Sequence, residues 1–175
     1  MRSINRALQA MLLSLLLAPL SIAQAEEMAP YGTAKTNMHE YPTINAVFDA
    51  NYEDPKKLNI LHAFVKNTAK PLKGHMVVVT HGPELRLFAK ENYMKYQGIV
   101  DKLAALAEDG VDFRMCNNAL RAAGFEPSDM HGFITVVPAG FPEIAYLQSK
   151  GYEYINPIPY SVRDVRYLDQ PQKKK

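Results

Sequence analysis

The stretch Met76-Val77-Val78-Val79-Thr80-His81-Gly82-Pro83 decides the fold of this chain. Residues 76–80 are apolar or β-branched without interruption, which is typical of a strand covered on both faces, as in a parallel sheet. Gly82 and Pro83 end this strand, because glycine and proline interrupt regular structure. The stretch therefore predicts a buried strand of a parallel sheet, with His81 directly beyond its carboxyl end.

Strand and helix patterns alternate on both sides of this stretch. Short apolar runs predict further strands at residues 44–48, 111–115, 133–137 and 152–155. Helices are predicted from Asp54-Pro55 onward and at residues 96–108, 117–123 and 142–150, with a short helical turn at residues 84–91. This alternation predicts a three-layer α/β/α domain with a mainly parallel sheet.

The first helix has recognisable ends and a recognisable face. Asp54 is a suitable cap and Pro55 suits the first helical position. Helical spacing predicts one buried face, formed by Leu58, Leu61, His62 and Val65. Gly74 is expected in the turn that leads out of this helix.

Residues 1–25 have the pattern of a secretory signal peptide. Arg2 and Arg6 precede an apolar run, and Ala23-Gln24-Ala25 supplies a small-residue cleavage pattern. The run is short and contains Pro19, so it does not suit a permanent membrane span, and no second apolar run is long enough. The alternative is a buried N-terminal helix. We expect export to the periplasm, with no membrane span in the mature chain.

The rest of the chain suits one domain. Beyond the signal peptide we expect an N-terminal arm at residues 26–43, an α/β domain at residues 44–160 and a polar C-terminal tail at residues 161–175. The signal peptide contains two of the 20 basic residues and none of the 18 acidic residues, so the mature chain has no formal net charge. This balance gives no indication of a nucleic-acid partner.

Cys116 is the one cysteine of the chain. An exported chain with a single cysteine cannot form an internal disulfide. The thiol is therefore buried and inert, paired with another molecule, or kept for chemistry. Its position at the end of a strand and before a helix favours a thiolate, whereas a buried small apolar residue is the structural alternative.

Three predicted strand ends are candidates for a site, because ligands of open α/β sheets bind beyond the carboxyl ends of the strands. The three loops are residues 80–83, 115–118 and 137–140. We take Cys116 and His81 as candidate catalytic residues, His81 as a proton donor or acceptor beside the thiol. The candidate substrate-binding residues are Arg114, Asn117, Asn118, Gly82 and Gly140. Arg114, like Arg121, would add positive potential near the thiol.

Histidine and methionine recur next to each other, which raises the alternative of a non-catalytic periplasmic protein that binds a small ligand or copper. The pairs are Met38-His39, His75-Met76 and Met130-His131. Adjacent strand residues point to opposite faces, so this spacing does not favour a metal site. The glycine patterns of nucleotide and dinucleotide sites do not occur in the sequence, so we expect no cofactor.

Four blocks of the sequence resemble the DsrE/DsrF-like family over residues 44–157. They are residues 81–88 (His-Gly-Pro-Glu-Leu-Arg-Leu-Phe), 111–120 (Val-Asp-Phe-Arg-Met-Cys-Asn-Asn-Ala-Leu), 136–148 (Val-Val-Pro-Ala-Gly-Phe-Pro-Glu-Ile-Ala-Tyr-Leu-Gln) and 151–155 (Gly-Tyr-Glu-Tyr-Ile). The chain is most similar to an exported branch of that family with a single cysteine.

This resemblance implies a role in sulfur metabolism. Characterised relatives act in sulfur relay, carrying sulfur as a cysteine persulfide between partners, so Cys116 would bear the sulfur. The implied function is a persulfide carrier or sulfurtransferase-like protein, whose partners are a small sulfur-containing donor or acceptor, or the thiol of a partner protein. Those relay proteins are cytoplasmic, whereas this chain is expected to be exported.

The resemblance also implies a homo-oligomer, since relatives commonly assemble as trimers or hexamers. The C-terminal part offers apolar residues for such an interface: Tyr152, Tyr154, Ile155, Ile158 and Tyr160. Packing of these residues on the domain's own core is the alternative.

Overall fold

Five strands form one sheet in the computed structural model, which describes residues 33–157. The strands are β1 (Ile44–Ala50), β2 (Lys73–Thr80), β3 (Asp112–Cys116), β4 (Ile134–Val137) and β5 (Glu153–Ile155). They pair in the order β4-β3-β2-β1-β5, and every pair is parallel. The predicted parallel sheet is confirmed, with β5 at its edge.

The chain divides into two units, Met1–His39 and Glu40–Lys175. In the first unit, residues 33–39 have no regular secondary structure and are exposed. The expected signal peptide at residues 1–25 and the polar tail at residues 161–175 lie outside the described residues. So do Ile158 and Tyr160.

Helices connect the strands. They are α1 (Leu58–Leu72), α2 (Tyr93–Glu108), α3 (Asn117–Ala122) and α4 (Gly140–Ser149). Single turns of 3₁₀ helix lie at Pro55–Lys57, Lys90–Asn92 and Pro127–Asp129, and a longer one lies at Pro83–Phe88. Within residues 33–157, no helix combines the length and the apolar character that a membrane crossing needs.

The two faces of the sheet are covered unequally. On one face, Phe48, Val78 and Phe113 pack in a large core against α1, α2 and α3. This core includes Leu58, Leu61, Val65, Leu103 and Leu120 from the three helices. On the other face, Val47, Val77 and Val79 form a smaller cluster with Ile144 and Leu147 of α4 and the half-buried Tyr152. Since strand side chains alternate, residues 77–79 are buried on both sides, as their sequence predicted.

The junction between α1 and β2 differs from the prediction. Gly74 lies inside β2 rather than in a turn, since α1 continues through Pro71 to Leu72 and is capped by Lys73, which has a φ of 55°. A side-chain carbon on Gly74 would lie 2.0 Å from the Ile44 carbonyl oxygen. The close approach of β1 to β2 therefore requires glycine, and this tertiary contact leaves no signal in the local sequence.

Two helix ends can be compared with their predictions. Asp54 accepts a hydrogen bond from the Lys56 amide (2.9 Å), as its predicted capping role requires. The helix predicted from residue 96 begins earlier, at Tyr93.

His62 is predicted on the buried face of α1, but it is only half-buried. Burial, together with the charges of Lys102 and Lys66, lowers the pKa of His62.

His131 sits between two aromatic rings on the side of the larger core. Its ring stacks on Phe133 with centroids 6.0 Å apart and meets the edge of Tyr93 at 5.5 Å. Its Nε2 is buried and has no hydrogen-bond partner among the described residues. Burial and the charge of Lys90 lower the pKa of His131, against a smaller opposite effect of Asp101.

Acidification should therefore destabilise the protein through His131. Because its pKa is lower in the folded chain, the unfolded chain binds more protons once the pH falls below about 6.5. The His131→Phe variant, which keeps the ring stack, should lose less unfolding free energy than the wild type between about pH 7.5 and pH 5.5. Urea unfolding at both pH values measures this difference. Equal losses in the two proteins would contradict the prediction.

Candidate functional site

The carboxyl ends of β1 to β4 meet at one edge of the sheet. Thr80 ends β2, Cys116 ends β3 and Val137 ends β4, with Cys116 directly opposite Val137. The three predicted site loops consequently open on the same edge. A cavity of about 550 Å³ lies there, lined by His81, Cys116, Asn118, Ala119, Ala139, Gly140, Phe141 and Pro142.

Four of the predicted site residues share this cavity: Cys116, His81, Asn118 and Gly140. Gly82 lies in the wall of a neighbouring cavity of about 330 Å³, which also contacts His81 and Ala119. Arg114 and Asn117 are not among the residues that line either cavity. The structure thus brings together both candidate catalytic residues and part of the candidate binding set.

Cys116 is buried but reaches the cavity wall. The residue is 7% exposed, and its Sγ accepts a hydrogen bond from the Ala119 amide at 3.4 Å. This bond exists because Cys116 caps α3, with extended backbone before the first helical turn. The thiol is therefore buried like a core residue, yet it borders the cavity.

His81 is held from several sides. Its imidazole Nε2 lies 2.7 Å from Asp49 Oδ1, and its ring centroid lies 4.7 Å from that of Phe141. The first residue of α4 must be glycine for this packing, because a side-chain carbon on Gly140 would lie 2.7 Å from His81 Cβ. The role of Gly140 is therefore to make room for the imidazole.

Asp49 is a site residue that the sequence reasoning missed. It lies in β1, is 8% exposed, and its second oxygen, Oδ2, accepts a hydrogen bond from the Tyr154 hydroxyl at 2.6 Å. This hydrogen bond, together with burial and the charge of Asp49, raises the pKa of Tyr154. The available signal was an acidic residue within the otherwise buried run Ala46–Ala50, although the apolar pattern predicted the end of the strand there.

Glu84 is a second buried carboxylate that the sequence reasoning did not single out. Its Oε1 accepts hydrogen bonds from the amides of His81 (3.2 Å) and Gly82 (3.0 Å) and from the Thr80 hydroxyl. Its Oε2 accepts one from the Tyr52 amide at 2.8 Å. Glu84 therefore ties the backbone after β1 to the backbone after β2.

The Glu84 carboxylate affects two neighbouring residues, Gly82 by its close approach and Tyr52 by its charge. A side-chain carbon on Gly82 would lie 2.5 Å from Glu84 Oε2 and 2.3 Å from Asn51 Oδ1, so a larger residue there would displace these two side chains. Burial, followed by the charges of Glu84 and Asp49, raises the pKa of Tyr52. The Tyr52 hydroxyl stays protonated and donates to the Pro157 carbonyl at 3.1 Å.

Arg114 shares the sheet face of Cys116, as predicted from strand alternation, but its charge is paired with the carboxylates of Asp112 and Glu143. Its guanidinium bonds Asp112 Oδ2 through Nη2 (2.6 Å) and through Nε (2.8 Å), and it bonds Glu143 of α4 through Nη1. Burial opposes this charge, but the two carboxylates outweigh that effect and raise the pKa of Arg114. Arg114 therefore joins β3 to α4, while Arg121 is exposed on α3.

The described residues contain no group of three or more His, Cys, Asp or Glu side chains that is arranged to hold a metal ion. Of the histidine–methionine pairs, His75 bonds the Tyr152 hydroxyl through Nδ1 at 2.8 Å, and Met76 points into the large core. His75 and Met76 are therefore not arranged to share one metal ion.

A parallel α/β domain with a lone cysteine at the carboxyl edge of its sheet is the class that the fold and the site define. The chain belongs to the DsrE/DsrF-like family, whose sequence profile matches residues 28–157. The family is one related to sulfur relay. No curated protein matches the chain significantly.

The solved structures that are similar to this one include two proteins of unknown function. A protein of unknown function, MTH1491 from Methanobacterium thermoautotrophicum, is 25% identical, with a TM-score of 0.56 over 68% of this chain and 100% of that chain. A conserved protein of unknown function, BT1422 from Bacteroides thetaiotaomicron, is 16% identical, with a TM-score of 0.48 over 67% and 95% of the two chains.

Replacing Glu84 by glutamine should destabilise the domain. The glutamine amide would turn a hydrogen-bond donor toward at least one of the donors whose bonds Glu84 now accepts. The unfolding free energy should fall by about 2–3 kcal/mol, since a charge-assisted bond is lost and a buried donor is left unpaired. The control is Glu91→Gln on the exposed turn Lys90–Asn92. Denaturant unfolding that shows equal stability for both variants would contradict this role of Glu84.

Proposed function

We propose that this protein is a sulfur carrier in which Cys116 accepts a sulfane sulfur, holds it as a persulfide and passes it to an acceptor. The observation that carries this proposal is the shared cavity of Cys116 and His81, in a chain whose family is related to sulfur relay. A buried thiol at a cavity wall is protected from bulk oxidants, yet it is open to a small sulfur compound.

The proposed transfer is a displacement at sulfur. The Cys116 thiol gives its proton to His81, and the thiolate attacks the outer sulfur of a donor such as thiosulfate. A bond forms between Sγ and that sulfur, while the bond from that sulfur to the sulfite group breaks, and sulfite leaves with the electron pair. In the second step, an acceptor thiolate, sulfite or cyanide attacks the outer sulfur, and Cys116 leaves as a thiolate.

The surroundings of Cys116 support this chemistry. The Ala119 amide donates to Sγ, and a hydrogen bond to a thiolate favours that form. Asn118 adds a side-chain amide to the lining, whereas Ala119, Ala139, Phe141 and Pro142 keep the rest of it apolar. We assign Asn118 to substrate binding and Arg114 to the joint between β3 and α4. Asn117 is half-buried beside the thiol without lining the cavity.

Export is part of the proposal. The pattern of residues 1–25 supports a signal peptide, which would place this carrier in the periplasm, away from the cytoplasmic partners of its relatives. Its donor and acceptor would then be small sulfur compounds or thiols of partner proteins in that compartment.

Incubation with thiosulfate or polysulfide should add one sulfur atom (about 32 Da) to the folded protein, as measured by intact-mass spectrometry. The adduct should map to the peptide that contains Cys116 and should be released by dithiothreitol. The Cys116→Ser variant is the matched control, since it changes one atom. Equal labelling of the variant, or no labelling of the wild type by either donor, would contradict the carrier function.

We also propose a homo-oligomer with an interface on the α4 side of the sheet. Phe141 (68% exposed), Tyr146 (54%) and Tyr154 (43%) present aromatic rings on that side, and large rings favour interfaces. Light scattering at micromolar concentration should give a mass above that of one chain. The Tyr146→Ser variant should shift the mass toward the monomer, and a monomeric wild type would contradict this proposal.

A further inference from the structure

We propose that Asp49 is the positioning residue of the site: it fixes the tautomer of His81, so that Nδ1 is the nitrogen left to accept the Cys116 proton. This inference rests on the proposed function for its purpose, but its observations are independent of sulfur chemistry. They are the Asp49–His81 hydrogen bond, the Tyr154–Asp49 hydrogen bond and the cavity that His81 shares with Cys116.

The tautomer follows from the chemistry of the Asp49–His81 contact. An ionised carboxylate only accepts hydrogen bonds, so the imidazole nitrogen 2.7 Å from Asp49 Oδ1 must carry a proton. That nitrogen is Nε2, and a neutral imidazole carries one proton. Nδ1 is therefore the unprotonated nitrogen and the one that is left for a ligand or a thiol.

Tyr154 keeps the carboxylate of Asp49 in this orientation. Its hydroxyl donates to Oδ2 at 2.6 Å, so both oxygens of Asp49 are engaged, each by a different side chain. The contact exists because β5 pairs with β1 in parallel, with Tyr154 opposite Val47, two residues before Asp49 on the same face. The short edge strand therefore contributes directly to the site.

The imidazole itself has little freedom to turn away. Phe141 lies against its ring, and Glu84 accepts a hydrogen bond from the His81 amide. The backbone of Gly140 packs so closely against His81 that a side chain at position 140 would clash with it. The His81 side chain is 6% exposed, so bulk water does not compete effectively with Asp49. Both carboxylate oxygens of Asp49 are hydrogen-bonded, which a residue that only filled space at position 49 would not require.

Asp49 is the charged group in direct contact with the His81 ring. The titratable or charged groups on the elements packed around His81 include Asp49 on β1, Tyr52 after β1, Tyr154 on β5, Glu84 and Arg86 after β2, Asp112, Arg114 and Cys116 on β3, Arg121 on α3 and Glu143 on α4. Arg114 is paired with both Asp112 and Glu143. Asp49 therefore meets the imidazolium as a carboxylate in direct contact, and it stabilises the ion pair that proton transfer creates.

Alkylation by iodoacetamide measures this arrangement without any sulfur donor. The thiolate forms a bond to carbon and iodide leaves, so the rate reports how readily Cys116 ionises. Asp49→Asn should lower the rate about tenfold at about pH 7, because an asparagine amide can donate to Nε2 and leave the proton on Nδ1. Near pH 9.5, where solvent base removes the thiol proton, wild type and variant should converge.

Two further variants separate positioning from folding. Tyr154→Phe keeps the carboxylate and should lower the rate at neutral pH about two- to threefold, since Asp49 is then held by one bond only. Asp101→Asn is the matched control, because Asp101 also accepts a bond from a tyrosine hydroxyl, that of Tyr93 at 2.9 Å, but on α2 and away from His81. Its alkylation profile should equal that of the wild type.

Nitrogen NMR of the His81 ring gives a direct readout that a merely structural role would not move. The wild type should show a protonated Nε2 and a bare Nδ1, and Asp49→Asn should reverse or mix the two tautomers. A bare Nε2 in the wild type, or a pH–rate profile of Asp49→Asn equal to that of the wild type, would overturn this inference.

The outcomes distinguish this inference from the carrier proposal. Sulfur labelling of Cys116 together with an unchanged profile for Asp49→Asn would remove Asp49 from the site and leave the carrier function intact. A wild type that takes no sulfur, with alkylation at neutral pH still dependent on Asp49, would refute the carrier function and support a thiol activated for another electrophile.

Discussion

The buried carboxylate of Glu84 is the interaction on which the carboxyl edge of the sheet depends. A buried charge is costly unless it is hydrogen-bonded, and Glu84 meets this requirement with three backbone amides and the Thr80 hydroxyl. Those donors come from the segments that leave β1 and β2. Because His81 lies in one of these segments, the same carboxylate that satisfies the backbone also sets the place of the imidazole.

The unequal covering of the sheet explains why the site lies where it does. Three helices and a large core stabilise one face, while among residues 33–157 a smaller cluster with α4 and Tyr152 covers the other. The face covered by α4 carries three charged residues of the sheet. Asp49 is hydrogen-bonded to His81, and Arg114 is paired with Asp112. Stability is thus supplied mainly by one face, while the other face carries the polar groups next to the site.

The local sequence pattern was sufficient to predict the strands and helices, and it also predicted that His81, Cys116 and Gly140 lie together at the candidate site. The β-branched run before His81 and the Gly and Pro residues after it predicted a doubly covered strand, and Cys116 was correctly placed between a strand and a helix. Parallel pairing then predicted that the loops after β2, β3 and β4 meet, which brings His81, Cys116 and Gly140 together. The wrong position of Gly74 shows the limit, because its requirement comes from Ile44 in another strand.

The sequence by itself therefore determined the α/β class, the order of strands and helices along the chain and the two residues proposed to carry the chemistry, since periodicity and turn residues act over a few positions. Only the tertiary structure decided what surrounds them. Asp49 meets His81 across 32 residues and Tyr154 across 105 residues. These contacts depend on the strand order and on the register of β5 against β1, which are set by packing of the whole sheet and leave no periodic signal along the chain.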